Sequence, residues 1–112
     1  MTRDTQLNET FAALAHPARR AMLARLARGD ATVSELAKPL DMSLPAVSRH
    51  IRALEKAGLI SQQVEAQFRR CSLKPEALTV AVSWADEQRA LWQARFDKID
   101  ALIQFDKEDS HE

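Results

Sequence analysis

The feature that most constrains the fold is a pair of helix signals separated by only a few residues. Thr32 is followed three residues later by Glu35, which is the spacing of a capping box, in which hydroxyl and carboxylate each bond the other residue's amide. Pro39 opposes continuation of that helix, and Ser43 is a typical N-cap for the next one. Two helices joined by so short a turn predict a helix-turn-helix over residues 32–57.

Two further helices are expected before this motif and one long helix after it. Residues 6–15 place apolar side chains at helical spacing, and Pro17 suits the first turn of a second helix that ends near Gly29. Towards the C-terminus, apolar residues recur every three or four positions, which predicts a helix over residues 76–105. Residues 106–112 are polar and are expected to form a fraying tail.

A short β-hairpin is expected between the motif and the long helix. Residues 59–64 and 68–73 have the pattern of short strands, with a turn at residues 65–67 that contains neither Gly nor Asn. A hairpin that follows the second helix of a helix-turn-helix is a wing, here residues 59–73. The predicted fold is therefore mainly α with a small β-hairpin, a winged helix-turn-helix in the order α-α-α-α-β-β-α.

The composition is that of an ordinary soluble globular protein, with 46% hydrophobic and 29% charged residues in a chain of 112 residues. Residues 1–105 are expected to form a single domain. No apolar run approaches the roughly 20 residues that cross a bilayer, so no membrane partner is expected. Because the N-terminus resembles no secretory signal and the single Cys71 can form no internal disulfide, a cytoplasmic location is expected.

The zero net charge conceals an uneven distribution of charge. Residues 16–70 carry ten basic and five acidic side chains, whereas residues 71–112 carry five basic and nine acidic ones. A polyanion would be attracted to the middle of the chain and repelled by its end. Chance clustering on solvated helix faces is the alternative, and charge alone leaves both interpretations open.

The helix that begins at Ser43 has one face suited to reading DNA. That face is small and hydroxylic at its N-terminus and cationic further along, which allows the helix end to enter the major groove. Arg49 is the best candidate for a bidentate contact to guanine, whereas Arg52 and Lys56 are expected to hold phosphates. His50 either contacts a phosphate or bonds a backbone carbonyl. An ordinary surface helix with three basic residues is the alternative.

The wing adds two adjacent arginines. Arg69 and Arg70 are neighbours on a predicted strand and therefore point to opposite faces, so at most one is expected to face DNA directly. The full set of candidate DNA-contacting residues on helix and wing is Ser43, Pro45, Ser48, Arg49, His50, Arg52, Lys56, Gln67, Arg69 and Arg70.

Two runs of sequence carry a specific resemblance. Residues 11–20 read FAALAHPARR, and residues 42–60 read MSLPAVSRHIRALEKAGLI. They resemble the ArsR-type family of bacterial winged-helix transcriptional regulators, and the resemblance extends over about residues 7–105. It implies a homodimeric repressor that binds double-stranded DNA at an operator of inverted-repeat type.

The resemblance also implies that the first and last helices form the dimer interface. That implication fits the apolar stripe of the predicted C-terminal helix, which is more apolar than a small monomer would leave exposed. Packing within the chain is the alternative for part of the stripe. The residues expected at the interface are Leu7, Phe11, Leu14, Trp84, Leu91, Trp92, Phe96 and Ile99.

Metal ligands that many such regulators use are missing from the matching stretches. Residues 33–40 contain no cysteine, and Asp86-x-Gln88 lacks the histidine of relatives that bind zinc. The three histidines of the chain are too scattered to propose as a set. The resemblance is therefore to a branch without a metal site. Neither metal nor cofactor is expected, and the existence of a small-molecule effector is left open.

No catalytic residues are expected. Two glycines leave no room for a Gly-rich phosphate loop, and carboxylate pairs such as Asp97 and Asp100 lie on a solvated helix face. Two alternatives to the DNA-binding regulator remain at this point. One is a dimeric winged-helix module that binds protein, and the other is a repressor that responds to oxidation through Cys71.

Overall fold

Five α-helices and three β-strands make up residues 2–109, the part of the chain that the computed structural model describes. In chain order they are α1 (Arg3–Leu14), α2 (Pro17–Leu26), β1 (Ala31–Thr32), α3 (Val33–Ala37), α4 (Leu44–Lys56), β2 (Ile60–Glu65), β3 (Phe68–Leu73) and α5 (Glu76–Asp109). A short 3₁₀ turn, Lys38–Leu40, follows α3. The predicted winged helix-turn-helix is confirmed, with one strand more than the sequence indicated.

The described residues fall into two compact units, one that ends at Ala81 and one that begins at Val82. The first contains the helix-turn-helix and the sheet, and the second contains the remainder of α5. The single domain expected over residues 1–105 stays a prediction. The last helix also continues to Asp109, beyond its predicted end at residue 105, and the rest of the expected tail, residues 110–112, lies outside the described residues.

Side-chain caps explain where the first two helices begin. The hydroxyl of Thr2 accepts a hydrogen bond from the Thr5 amide at 3.2 Å, so α1 begins earlier than the predicted residue 6. Nδ1 of His16 accepts from the Ala18 amide at 3.2 Å and caps α2, whose first residue is a proline.

The core of the first unit lies between α2, α3, α4 and the sheet. The large side chains at its centre are almost inaccessible to solvent, and they are Met22, Leu36, Val47, Ile51, Leu54, Ile60 and Cys71. Close packing of these apolar side chains is the main source of the stability of this unit. None of the described helices combines the length and the apolar character that a bilayer crossing requires.

The sheet has the order β1-β3-β2, and all its pairs are antiparallel. Cys71 at the middle of β3 lies opposite Gln62 on one side and Ala31 on the other. The predicted hairpin is confirmed, with a turn of two residues after Glu65, and Ala66 adopts the left-handed φ of 54° that Gly or Asn normally supplies.

Candidate nucleic-acid interface

The N-cap and the apolar residues of α4 determine where this helix begins and which of its sides is buried. The hydroxyl of Ser43 accepts a hydrogen bond from the Ala46 amide at 3.3 Å and caps the helix. Val47, Ile51 and Leu54 are at most 1% exposed, so this side of α4 is buried in the core. The opposite side of the helix must therefore face solvent.

The predicted cationic residues lie on that outer side of α4. Arg49, Arg52 and Lys56 are exposed, and none of them forms an ion pair or a side-chain hydrogen bond with another described residue. Such cations remain hydrated and are available to phosphates or base edges. Ser43 and Pro45 are also exposed at the start of the helix, and Ser48 is half-buried.

His50 has a contact that neither sequence alternative anticipated. Its Nδ1 accepts a hydrogen bond from Nε of Arg19 on α2 at 3.1 Å, and its ring centroid lies 4.3 Å from that of His16. Burial, followed by the nearby charges of His16, Arg19 and Arg49, lowers the pKa of His50. His50 therefore joins α4 to α2, and its assignment to DNA stays a prediction.

The helix that precedes the turn is positioned by the predicted capping box. The Thr32 hydroxyl accepts from the Glu35 amide at 3.2 Å, and the Thr32 amide donates to the Glu35 carboxylate at 3.3 Å. Hydrogen bonds from Thr32 are the main cause that lowers the pKa of Glu35. Nη2 of Arg25 lies 3.6 Å from the same carboxylate, so α2 and α3 are linked at the start of the motif.

The two arginines of the wing have different surroundings. Nε of Arg70 donates to the Glu65 carboxylate at 3.1 Å, and both residues lie on the hairpin. Arg69 is exposed and lines a hollow of about 250 Å³ together with Ser34, Ser48 and Gln67. Arg69 is thus the wing arginine that shares a surface with α4, whereas Arg70 is held by a carboxylate.

Cys71 is completely buried in the sheet. It is 0% exposed, and burial, followed by the charges of Glu55 and Asp30, raises the pKa of its thiol. A buried protonated thiol is a poor nucleophile, because the thiolate is the reactive form. The geometry gives no support to oxidation sensing through Cys71.

The second unit presents apolar side chains to solvent along α5. Leu91, Trp92 and Phe96 are 65%, 62% and 59% exposed, and Trp84 and Ile99 are 37% and 40% exposed. On α1, Phe11 is exposed and Leu14 is half-buried. Leu7 is only 7% exposed, which leaves almost no surface for a partner, so this residue is better assigned to packing within the chain.

Sequence reasoning missed two residues of this region. Arg19 was not singled out, because its link to His50 spans 31 positions and no local pattern signals it. Phe68 falls within the predicted strand 68–73 and has no predicted role, although it lines the hollow and is 54% exposed. A lone aromatic residue flanked by Gln67 and Arg69 was the signal available in the sequence.

Within the described part of the chain, no three His, Cys, Asp or Glu side chains come together in a group that could hold a metal ion. His111 lies outside the described residues.

Comparison with known proteins finds helix-turn-helix proteins that regulate transcription. A helix-turn-helix domain family matches residues 14–63. The transcriptional repressor SdpR of Bacillus subtilis (strain 168) is 33% identical over 78 residues, which are 70% of this chain and 87% of the relative.

Two solved structures extend the comparison. The homodimeric winged helix-turn-helix DNA-binding domain of Mb0332 from Mycobacterium bovis matches with a TM-score of 0.62 and 26% identity, over 78% of this chain and 82% of that one. The crystal structure of the ArsR family transcriptional regulator RHA00566 matches with a TM-score of 0.77 and 49% identity, over 80% of this chain and 93% of that one. At this level of identity and coverage, the chain belongs to the ArsR family of transcriptional regulators.

Proposed function

We propose that this DNA-binding transcriptional regulator is a homodimeric repressor that recognises an inverted-repeat operator through α4 and the wing. The observation that carries the proposal is the outer face of α4, where Arg49, Arg52 and Lys56 are exposed and bound to no other described side chain. A helix with a buried apolar side and such a cationic side fits the major groove.

The position of each residue along α4 suggests its role. Ser43 and Pro45 are small enough to let the N-terminus of the helix approach the base edges. Arg49 follows in the next turn and is assigned to a guanine edge, whereas Arg52 and Lys56 lie further along and are assigned to phosphates. On the wing, Gln67 and Arg69 are assigned to the neighbouring backbone, with Arg70 secondary because Glu65 holds it.

Self-association is supported by the exposed apolar side chains of α5. Exposing Leu91, Trp92 and Phe96 to water is unfavourable by about 25 cal/mol for each Å² of apolar surface, and a second copy could cover them. The winged helix-turn-helix domain of Mb0332 is described as homodimeric, and SdpR is described as a repressor. These descriptions support, for this chain, a dimer that represses transcription.

A two-fold dimer determines the form of its target. Two symmetric copies of α4 read the same sequence on opposite strands, so the operator is an inverted repeat. Half-sites are then separated by about 34–36 Å, one turn of the duplex, or by a multiple of that distance. We further propose that release from DNA does not use a metal ion, because the cysteines and histidines of metal-sensing relatives are missing from residues 33–40 and from Asp86-x-Gln88.

Selection from a random duplex library, followed by salt titration on the enriched duplex, tests this function. We expect an inverted repeat, and an affinity that falls steeply with salt because phosphate contacts release counterions. Adding Zn²⁺, Cu²⁺ or Ni²⁺ is expected to leave the affinity unchanged. Recovery of no sequence pattern would contradict operator recognition, and a metal-dependent loss of affinity would contradict metal-independent release.

The dimer has its own test. Trp92→Glu places a charge among the exposed apolar side chains of α5, and we expect it to give a monomer by sedimentation analysis and to weaken operator binding strongly. Ala90→Glu adds the same charge two positions earlier on another side of the helix, where no dimer contact is proposed. It is expected to remain dimeric, and equal behaviour of the two variants would contradict the assigned interface.

A further inference from the structure

The tip of the wing carries two large apolar side chains, although it is the part of the hairpin most exposed to solvent. Val64 near the end of β2 is 75% exposed, and Phe68 at the start of β3 is 54% exposed. Phe68 lies opposite Glu65, directly beside the two-residue turn. More than half of the surface of Phe68 is left uncovered by the chain itself, which points to a contact outside it.

We propose that Phe68 is a wedge that enters the minor groove beside the major groove read by α4, partly unstacks a base step and bends the duplex. This inference rests on the proposed function and adds a residue and a DNA deformation to it. Inserted Phe, Leu, Ile, Met or Pro side chains are known to unstack base steps from the minor groove in this way.

The hollow between the wing and the helix-turn-helix gives the path of the DNA. Phe68 and Arg69 form one wall of the hollow, while Leu44 and Ser48 of α4 and Ser34 of α3 contribute the rest of the lining. With α4 in the major groove, the bordering sugar–phosphate strand crosses this hollow between Ser48 and Arg69. The groove on the far side of that strand is the minor groove, which is where the tip of the wing then lies.

The length of the wing agrees with this placement. Strands β2 and β3 have six residues each, which corresponds to about 20 Å at roughly 3.3 Å per residue. Residues 63–69, the part nearest the turn, are all exposed, so the tip projects beyond the core and can pass beside one sugar–phosphate strand.

The surroundings of the ring favour DNA over a protein partner. Glu65 lies opposite Phe68 and is paired with Arg70, while the exposed cationic Arg69 follows Phe68 along β3 on the other face of the strand. The neighbouring polar residues Gln63 and Gln67 carry amides that can donate to acceptors in the groove. An apolar ring with an adjacent cation and amides matches the composition of minor-groove binders.

The hairpin is also built to resist deformation when the ring is inserted. Strand β3 is paired on both sides, with Arg70 opposite Thr32 of β1 and opposite Gln63 of β2. Ala66 holds the turn in a tight left-handed conformation. The base of the wing is therefore held by pairing on both sides of β3, so the hairpin can keep the ring in position when it enters the base step.

The test compares the wild-type full chain with Phe68→Ala and Phe68→Leu on the duplex enriched from the random library. The duplex carries a donor and an acceptor dye at its ends to report bending, and 2-aminopurine at each minor-groove step in turn to report unstacking. We expect Phe68→Ala to bind about tenfold more weakly and to lose a bend of at least about 20°, together with the 2-aminopurine signal.

Phe68→Leu keeps an apolar wedge and is the matched control, so it is expected to retain most of the bend and affinity. Thermal melting of each variant checks the fold, which should hold because the ring is more than half exposed. Wild-type affinity and bend in Phe68→Ala would overturn the inference while leaving the proposed function intact. Failure of the wild-type chain to enrich any duplex would overturn both.

Discussion

Nε of Arg19 donates a hydrogen bond to Nδ1 of His50 across 3.1 Å and so ties α2 to α4. A protonated imidazole carries hydrogen on both nitrogens and can no longer accept this bond. The guanidinium groups of Arg19 and Arg49 place positive charge near the same ring, and the His16 ring centroid lies 4.3 Å from it. This hydrogen bond between α2 and α4 therefore requires a neutral His50.

Mild acid is expected to destabilise the first unit through His50. The pKa of His50 is lowered from 6.5 in the folded protein, by burial first and then by His16, Arg19 and Arg49. The unfolded chain thus takes up this proton at a higher pH than the folded chain. The contribution of His50 to stability is complete above the unfolded pKa and is lost as the pH falls through the folded one.

Urea unfolding at a series of pH values between about 7.5 and 5 measures this dependence, above the range in which carboxylates titrate. His50→Gln offers an amide oxygen to Arg19 without a titrating ring, and its unfolding free energy should change less over the same range. An identical pH dependence in both proteins would contradict the assignment to His50.

Arg49→Ala and Arg52→Ala are expected to weaken DNA binding in different ways. Loss of Arg49 should cost about 1–3 kcal/mol on the best operator and relax the preference at one base pair. Loss of Arg52 should weaken binding to all sequences alike and lower the slope of affinity against salt by about one. Competitive binding over a library of operator variants distinguishes the two.

Arg28→Ala is the control for that comparison. Arg28 is an exposed arginine just after α2, so the variant removes the same charge outside the proposed interface. We expect it to leave both the base preference and the salt slope almost unchanged. A loss of specificity in Arg52→Ala and not in Arg49→Ala would reverse the assigned roles.

Glu65→Gln is expected to strengthen DNA binding a few-fold. The substitution removes a carboxylate from the wing and releases Arg70, which Glu65 now holds at 3.1 Å. Both side chains are roughly half exposed, so the pair contributes no more than about 1 kcal/mol to stability. Salt titration should show a steeper slope by about one. Weaker binding would indicate that Glu65 positions Arg70 for DNA.

The thiol of Cys71 is expected to be unreactive in the folded protein. The side chain is fully buried, and its pKa is raised by that burial and by Glu55 and Asp30. Ellman's reagent should modify it rapidly in urea and only slowly in buffer. Cys71→Ala should keep operator binding, and its response to oxidants should match that of the wild type. Rapid modification of the native protein would reopen the redox alternative.

The helix-turn-helix could be predicted because its signals are local. The capping box at Thr32 and Glu35 and the N-cap at Ser43 each operate within three residues, and both are present in the structure. The apolar spacing of Val47 and Ile51 likewise fixes which side of α4 is buried.

The features that escaped prediction depend on distant partners. Strand β1 has two residues, too few for an alternating pattern, and it exists only because Cys71 and Arg70 lie opposite it. The left-handed Ala66 has no compositional signal. The exposure of Phe68 depends on the hairpin register, in which a shift of one position would turn every side chain to the other face.

Thr32 belongs to two structures at once. It is the last residue of β1, where it pairs with Arg70 of the wing, and its hydroxyl caps α3. Because a single residue serves both, displacement of the wing is expected to disturb the first helix of the motif, so that wing and helix-turn-helix move together. In the proposed dimer, the distance between the two helix-turn-helix motifs is then the quantity that can vary, and a ligand that released the DNA would be expected to act where the copies meet.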